Sequence, residues 1–323
     1  MKKDFPKFLK STFIIVVSLV LVDILVGYLG SESLDKLPDF NGKVSGQTVK
    51  NNFRIMRMED FDIVIVGSSR VSHHYNTKLL SDSINGFLDS QFSAYNAGID
   101  GQFLNSSCLV VESILSRTTP KMIVLEAEDS GLKYEKGKRM KKSYLYFNAP
   151  YYSKAPVVKP YFDELGWKDR VMMKSRLFRY NDKVLRIGQS YLGKATKPND
   201  GFEPLFGSSV DTTRVKEAEP EKEKVVDAYT ENNLRRVLQL CKDKSVNLVL
   251  VSSPRFRPKA GNEIIHTLCR EYDVPYIDIY NSVFFNNHPE LFKDTSHLNN
   301  DGATIYTQLF FEELKPYLEN LKE

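Results

Sequence analysis

Cysteine is scarce in this chain. Among 323 residues only Cys108, Cys241 and Cys269 carry a thiol. The set is odd, widely spaced and without a CxxC pair, which excludes a disulfide-built scaffold and an ordinary zinc site. A Cys241–Cys269 disulfide is compatible with a location outside the cytoplasm; three buried free thiols are the plainer expectation. Neither a P-loop nor a GxGxxG turn occurs, and no metal or other cofactor is expected. Charge of one sign is also lacking. The chain has 45 Lys and Arg against 41 Asp and Glu, a net +4 that argues for no nucleic-acid partner. With 41% hydrophobic and 27% charged residues it is neither disordered nor fibrous.

One long hydrophobic run is present. From Ser11 to Leu29 the residues are nearly all apolar, interrupted by Asp23. About twenty such residues cross a bilayer core as a helix. Lys2, Lys3, Lys7 and Lys10 all precede the run, so the positive-inside rule predicts a single-pass anchor over 1–30, N-terminus in the cytoplasm. Everything after Gly30 would then face outward, which in a bacterium means the periplasm or exterior of the cytoplasmic membrane. A cleaved signal peptide and a buried core helix are the alternatives, the run being long for the first. No cysteine follows it to carry a lipid. Asp23 is expected to reach the outer interface.

After a polar stretch over 31–60, read as a linker, apolar runs alternate with helical patterns. Residues 62–66, 92–96, 122–127, 247–253 and 275–280 read as strands. Helical patterns fit 104–117, 224–243, 261–272 and 302–318. Continuous β-branched runs such as DIVIV mark strands covered on both faces. Strand–helix alternation predicts a doubly wound α/β fold on a parallel sheet, with ligands beyond the carboxyl ends of its strands. Residues 131–225 are too many for a loop and predict an inserted lid or subdomain between core segments 61–130 and 226–323. The insertion holds eight tyrosines, the only tryptophan (Trp167) and the basic run 133–142. Residues 167–187 read as one helix, with Arg170, Lys174, Arg179, Lys183 and Arg186 suited to an anionic polymer, to lipid headgroups or simply to solvent.

Two short segments carry candidate chemistry. Gly67-Ser68-Ser69-Arg70 follows the first strand, so a serine stands on the turn into a helix at the carboxyl edge, where its N–H can face a developing oxyanion. Asp294-Thr295-Ser296-His297 precedes the last helix. An acid three residues before a histidine in a turn can orient the imidazole as general base for a serine from elsewhere. Each segment alone is commonplace; both at one sheet edge are more specific. Adjacent on a helix, His73 and His74 point apart and do not suggest a shared metal. Asp278, His266 and His288 read as structural or surface residues.

With these residues in place the sequence resembles the SGNH (GDSL-like) hydrolase superfamily over 61–130 and 245–320. Gly67-Ser68-Ser69 matches the first block, with Ser69 rather than Ser68 in the nucleophile position. Asn96-Ala97-Gly98 matches the second, which gives Gly98 an oxyanion-hole role beside the N–H of Ser69. Asp294 and His297 match the last, and HLNNDGATIYTQLF is like the family's closing segment. The third block departs: GxND is replaced by Glu126-Ala127-Glu128-Asp129, so Glu128 stands where a donating asparagine is expected. The resemblance implies a three-layer flavodoxin-like α/β fold and ester hydrolysis or acyl transfer through an acyl-serine. Arg70 and Glu128 are candidate substrate contacts, with bracing of the helix start the plainer expectation for Arg70. In layout the chain is similar to membrane-anchored members that modify envelope polymers, among them the D-alanyl transfer protein of teichoic acid synthesis. The expected substrate is an acylated saccharide or envelope polymer, the expected partners the bilayer around residues 11–29 and a membrane acyl-donor protein. Glu128 leaves open a catalytically weak or inactive relative that binds an envelope polymer or a partner protein.

Overall fold

Five short apolar runs become five parallel strands in the computed structural model, which describes residues 5–37, 47–58, 61–136, 142–181, 183–191, 200–210, 223–258 and 260–321. The strands of this sheet are β1 (Ile63–Val66), β2 (Ala94–Asn96), β3 (Met122–Glu126), β6 (Asn247–Ser252) and β7 (Tyr276–Asp278); β4 (Lys133–Glu135) and β5 (Lys224–Val226) pair separately as an antiparallel ribbon. The order across the sheet is β2-β1-β3-β6-β7, all parallel. Counted within the sheet that is 2-1-3-4-5, the flavodoxin-like order, whose switch point lies between β1 and β3.

The helices in chain order are α1 (Phe5–Asp35), α2 (Gln47–Asn52), α3 (Ser69–His74), α4 (Thr77–Leu88), α5 (Leu104–Leu115), α6 (Asp129–Leu132) and α7 (Val158–Asp163). They continue as α8 (Trp167–Met172), α9 (Arg176–Tyr180), α10 (Lys183–Tyr191), α11 (Ala228–Asp243), α12 (Glu263–Tyr272), α13 (Val283–Asn286) and α14 (Asn300–Leu318).

Side chains alternate across each strand and so feed two cores. Val64, Val66, Ile123, Leu125, Leu248 and Leu250 pack with α5, α11 and α12. Ile63, Ile65, Val124, Val249 and Val251 pack with α4 and α14 on the other face. With both faces covered the strands must be apolar throughout, which is why they were readable as runs. The three cysteines are buried free thiols; burial pushes those of Cys241 and Cys269 up to about 12.

Three sequence expectations are corrected. The stretch 31–60 is not simply a linker: α1 runs on to Asp35, and 47–57 is helical, with Lys50, Asn51, Asn52 and Arg54 buried. These polar groups are tolerated inside because distant partners receive them. Lys50 donates to the Gly201 carbonyl (2.6 Å), Asn51 to Asn148 (3.1 Å) and Arg54 to the Ala97 carbonyl (2.8 Å). Residues 167–187 are not one helix but α8, α9 and the start of α10, broken where Ser175 caps α9 by accepting from the Phe178 N–H. Nor do the described residues of 142–191 cover the strand edge as a lid. Leu145, Tyr161, Phe162, Met173 and Tyr180 join the core on the α5 side, and α9 and α10 lie against α1. Residues 137–141 of the basic run, and Lys2 and Lys3, are outside the described residues.

Candidate active site

At the carboxyl end of β1 the chain turns sharply into α3. Gly67 permits the turn: a Cβ there would stand 2.4 Å from Val71 Cγ2 and 3.0 Å from Glu126 Cβ. Ser68 is the N-cap residue and Ser69 the first residue of α3. The loop before α14 brings up the second segment, and Ser69 Oγ lies 2.7 Å from His297 Nε2. On the far side of the ring, Nδ1 is 2.9 Å from Asp294 Oδ2. Asp294 also accepts from the backbone N–H groups of Ser296 (2.8 Å) and His297 (3.0 Å). Partial burial alone would raise its pKa; the bonds from the His297 ring and the Ser296 N–H outweigh this and hold the carboxyl below its ordinary value. The arrangement is one hydrogen-bonded chain, with Ser69 donating to His297 and His297 donating to Asp294. Ser68 lines the same cleft without a bond to His297.

A buried network sets the height of the histidine. His74 Nε2 accepts from the Leu298 N–H (2.9 Å), next to His297. Its Nδ1 therefore carries the proton and donates to Ser253 Oγ (2.8 Å), which donates to Glu126 (2.7 Å). Arg70 closes the network, with Nη2 3.0 Å from both Glu126 Oε1 and Glu128 Oε2 and its guanidinium over the Tyr280 ring. Burial raises Glu126 despite Arg70. Burial would also raise Glu128, but Arg70 and the Ser130 hydroxyl prevail and keep it below the ordinary carboxylate value. Glu128 therefore stays an ionised acceptor on the cleft wall and supplies no donor. Arg70 pairs with these two carboxylates and donates to the Ser253 carbonyl.

Gly98 is corrected as an oxyanion donor. Its N–H is already given to Asn96 Oδ1 at 3.0 Å, and it does not line the cleft. Its lack of a side chain has another use: a Cβ would stand 2.3 Å from the backbone nitrogen of Ser72, so the glycine lets α3 lie against the end of β2. His73 and His74 do point apart, His73 bonding the Glu203 carbonyl and Asp100. Asp278 accepts from Asn262 and His266, and His288 pairs with Glu290, all away from the cleft.

The residue missed in the sequence is Gln102. It is 5% exposed and lines the cleft together with Ser69 and His297. Its Oε1 accepts from Arg54 Nη2. An arginine only donates, so this bond fixes the amide orientation and turns Nε2 away from Arg54. That Nε2 is buried and has no partner among the described residues, a costly condition unless something arrives to accept from it. Its only sequence signal was a glutamine beside Gly101, which takes the left-handed φ of +69° on the loop after β2.

The cleft is about 260 Å³, and its lining includes Phe103, Leu104, Gly131, Arg70, Arg255 and Glu128. Among solved structures, the chain is similar to a lipase/acylhydrolase from Enterococcus faecalis, at 10% identity and TM-score 0.39, over 80% of this chain and 97% of that one. It is also similar to a gut microbial diltiazem-metabolizing enzyme, at 10% identity and TM-score 0.37, over 79% of this chain and 47% of that one. No family model and no curated protein matches.

Proposed function

We propose that this chain is a serine-dependent esterase or O-acyltransferase of the SGNH kind. The observation that carries the reading is the Ser69–His297–Asp294 hydrogen-bonded chain at the carboxyl edge of β1. Ser69 Oγ attacks the carbonyl carbon of an acyl ester while His297 Nε2 takes the serine proton. Asp294 holds the ring and stabilises its charge. Collapse of the tetrahedral intermediate breaks the ester C–O bond; the departing alkoxide takes the proton back from His297, leaving acyl-Ser69. Water or a sugar hydroxyl then attacks by the same steps in reverse. Negative charge on the carbonyl oxygen is met by the Ser69 N–H, which has no intrahelical partner in the first turn, and by Gln102 Nε2. Glu128, neutralised by Arg70, is spared as a source of repulsion.

The cleft volume, below the usual range for whole-ligand pockets, suits an acyl group whose saccharide or polymer carrier lies outside. The exposed apolar helix α1 supports placement at a membrane. The substrate class we propose is an acylated envelope saccharide or polymer reached from the outer face, with a membrane acyl donor as partner if the reaction is transfer. Glu128 at the asparagine position supports a second reading, a polymer-binding protein with little turnover.

The test is fluorophosphonate labelling of the full chain in detergent. Labelling of wild type and of Ser68→Ala, lost in Ser69→Ala, is expected. Folded wild type that takes no label favours the binding reading; label surviving Ser69→Ala moves the nucleophile elsewhere.

A further inference from the structure

Asp23 has an unexpected partner. It lies inside the apolar run, yet it accepts from Ser175 Oγ (2.6 Å) and from the Leu177 N–H (2.8 Å). At 1.5 Å per residue it is about 9 Å along the helix from the end of the run at Leu29. The start of α9 is therefore held level with a residue well inside the segment that would cross the bilayer. The contact continues upward. A Cβ at Gly27 would stand 2.0 Å from Arg176 Cδ, and one at Gly30 2.6 Å from Tyr180 Cδ1, so two glycines let α9 lie directly on α1. On the side of α1 away from α9, Ile24, Leu25, Tyr28 and Leu29 stay exposed at the same level.

What α8 and α9 show to the outside is mixed in a particular way. Trp167 is 66% exposed, and Val171, Met172 and Leu177 are exposed with it. Trp167 and Val171, four residues apart, share a helix face. Lys168, Arg170, Lys174 and Arg176 are interleaved and exposed. The one acid of α8 and α9, Asp169, is buried against the Tyr146 hydroxyl (2.6 Å). On α10, Leu185 is 72% exposed. An aromatic with aliphatics, and cations with no exposed acid within α8 and α9 themselves, fits the boundary between acyl chains and anionic headgroups; Asp163 and Glu164 lie just before α8. A polymer in water would gain from the cations and leave the apolar groups unanswered.

We propose that α8 and α9 are a second membrane contact, seated in the outer headgroup layer of the bilayer that α1 crosses and bound to a lipid surface rich in anionic headgroups. The contact rests on the reading of α1 as a span. It fixes the domain to the membrane by a face as well as by a tether, and so sets the height of the Ser69 cleft above the lipid.

The only tryptophan of the chain is Trp167, so its emission reports on this face alone. The full chain is reconstituted into vesicles of phosphatidylethanolamine with phosphatidylglycerol, and co-flotation is scored first. Lipids brominated near the top of the acyl chains are then exchanged in, and acrylamide is added from the water. The expected result is emission at least halved by bromolipid and acrylamide quenching cut severalfold relative to the urea-unfolded chain. Lys168→Glu with Lys174→Glu should reduce the bromolipid effect. A chain that floats while Trp167 is quenched by acrylamide and untouched by bromolipid overturns the second contact alone. Protection of Trp167 by soluble polyphosphate with no bromolipid quenching assigns the face to a polymer and overturns it too. Failure to float removes the span, and this contact with it.

Discussion

Replacing Gln102 by glutamate tests the assignment of the oxyanion donor with little change of shape. In the native chain the amide has two ends: Oε1 accepts from Arg54, and Nε2 is buried and, among the described residues, without a partner, in a side chain that lines the Ser69 cleft. Glutamate keeps an acceptor for Arg54 and removes the donor. Arg54 needs that acceptor, because burial without a carboxylate beside it lowers its pKa to about 9. Stability should therefore hold or rise in Gln102→Glu, whereas Gln102→Ala strips Arg54 of a partner and should cost about 1–3 kcal/mol. Activity should separate differently. Loss of one oxyanion donor costs about 10²–10³ in kcat, or about 2.7–4 kcal/mol, and both variants should show at least that loss. The Ser69 N–H sustains the remainder. The assay is kcat and KM on a small activated ester beside urea unfolding of each variant, with the fall expected in kcat rather than KM. A Gln102→Glu protein with wild-type kcat, in a preparation where Ser69→Ala is dead, would refute the donor role.

Other outcomes follow from single contacts. Asp294→Asn keeps the shape but loses the anionic acceptor of the His297 Nδ1–H, so kcat should fall by on the order of 10⁴ while fluorophosphonate labelling slows in parallel. Gly98→Ala places a Cβ against the Ser72 backbone and should destabilise by about 1–3 kcal/mol, read by urea unfolding. His74 is held neutral in the fold: burial, then the charges of Arg70 and His297, push its pKa well below 6.5. The unfolded chain takes up a proton there that the folded chain refuses. This contribution to stability is thus intact above about pH 6.5 and is lost below it at up to about 1.4 kcal/mol per pH unit. His73 works in the opposite sense, its pKa raised by Asp100 and the Glu203 carbonyl against a burial effect that would lower it. Unfolding midpoints at pH 7 and pH 5 should accordingly converge in His74→Gln relative to wild type.

The strands were legible because both faces of a parallel sheet are covered, so each strand is apolar throughout and needs no register to be seen. Ser69, His297 and Asp294 were legible because each stands in a short local pattern next to a strand or helix end. Gln102 was not, since its significance lies in Arg54, 48 residues earlier, taking one end of its amide. The same blindness to distant partners made 47–57 look like tether: Lys50, Asn51 and Arg54 are polar by composition and interior only by virtue of Gly201, Asn148 and Ala97. The break between α8 and α9 falls at Ser175, whose partner Asp23 lies more than 150 residues away. At Gly98 a glycine in a familiar position owed its place to the closeness of Ser72, while its N–H was spent on Asn96.

The burial of Arg54 and Lys50 bears on where the molecule can be cut. A protease trimming the chain to the first strand would leave the residues of the five strands and Ser69, His297 and Asp294 in the chain, yet remove Val49, Ile55 and Met58 from the core, the clamp on Gln102 and the ammonium tying Ser72 to Gly201. Such a fragment would keep Ser69 and Gln102 but lose the arginine that fixes the orientation of the Gln102 amide. A shortened form that keeps these contacts has to begin before Gln47.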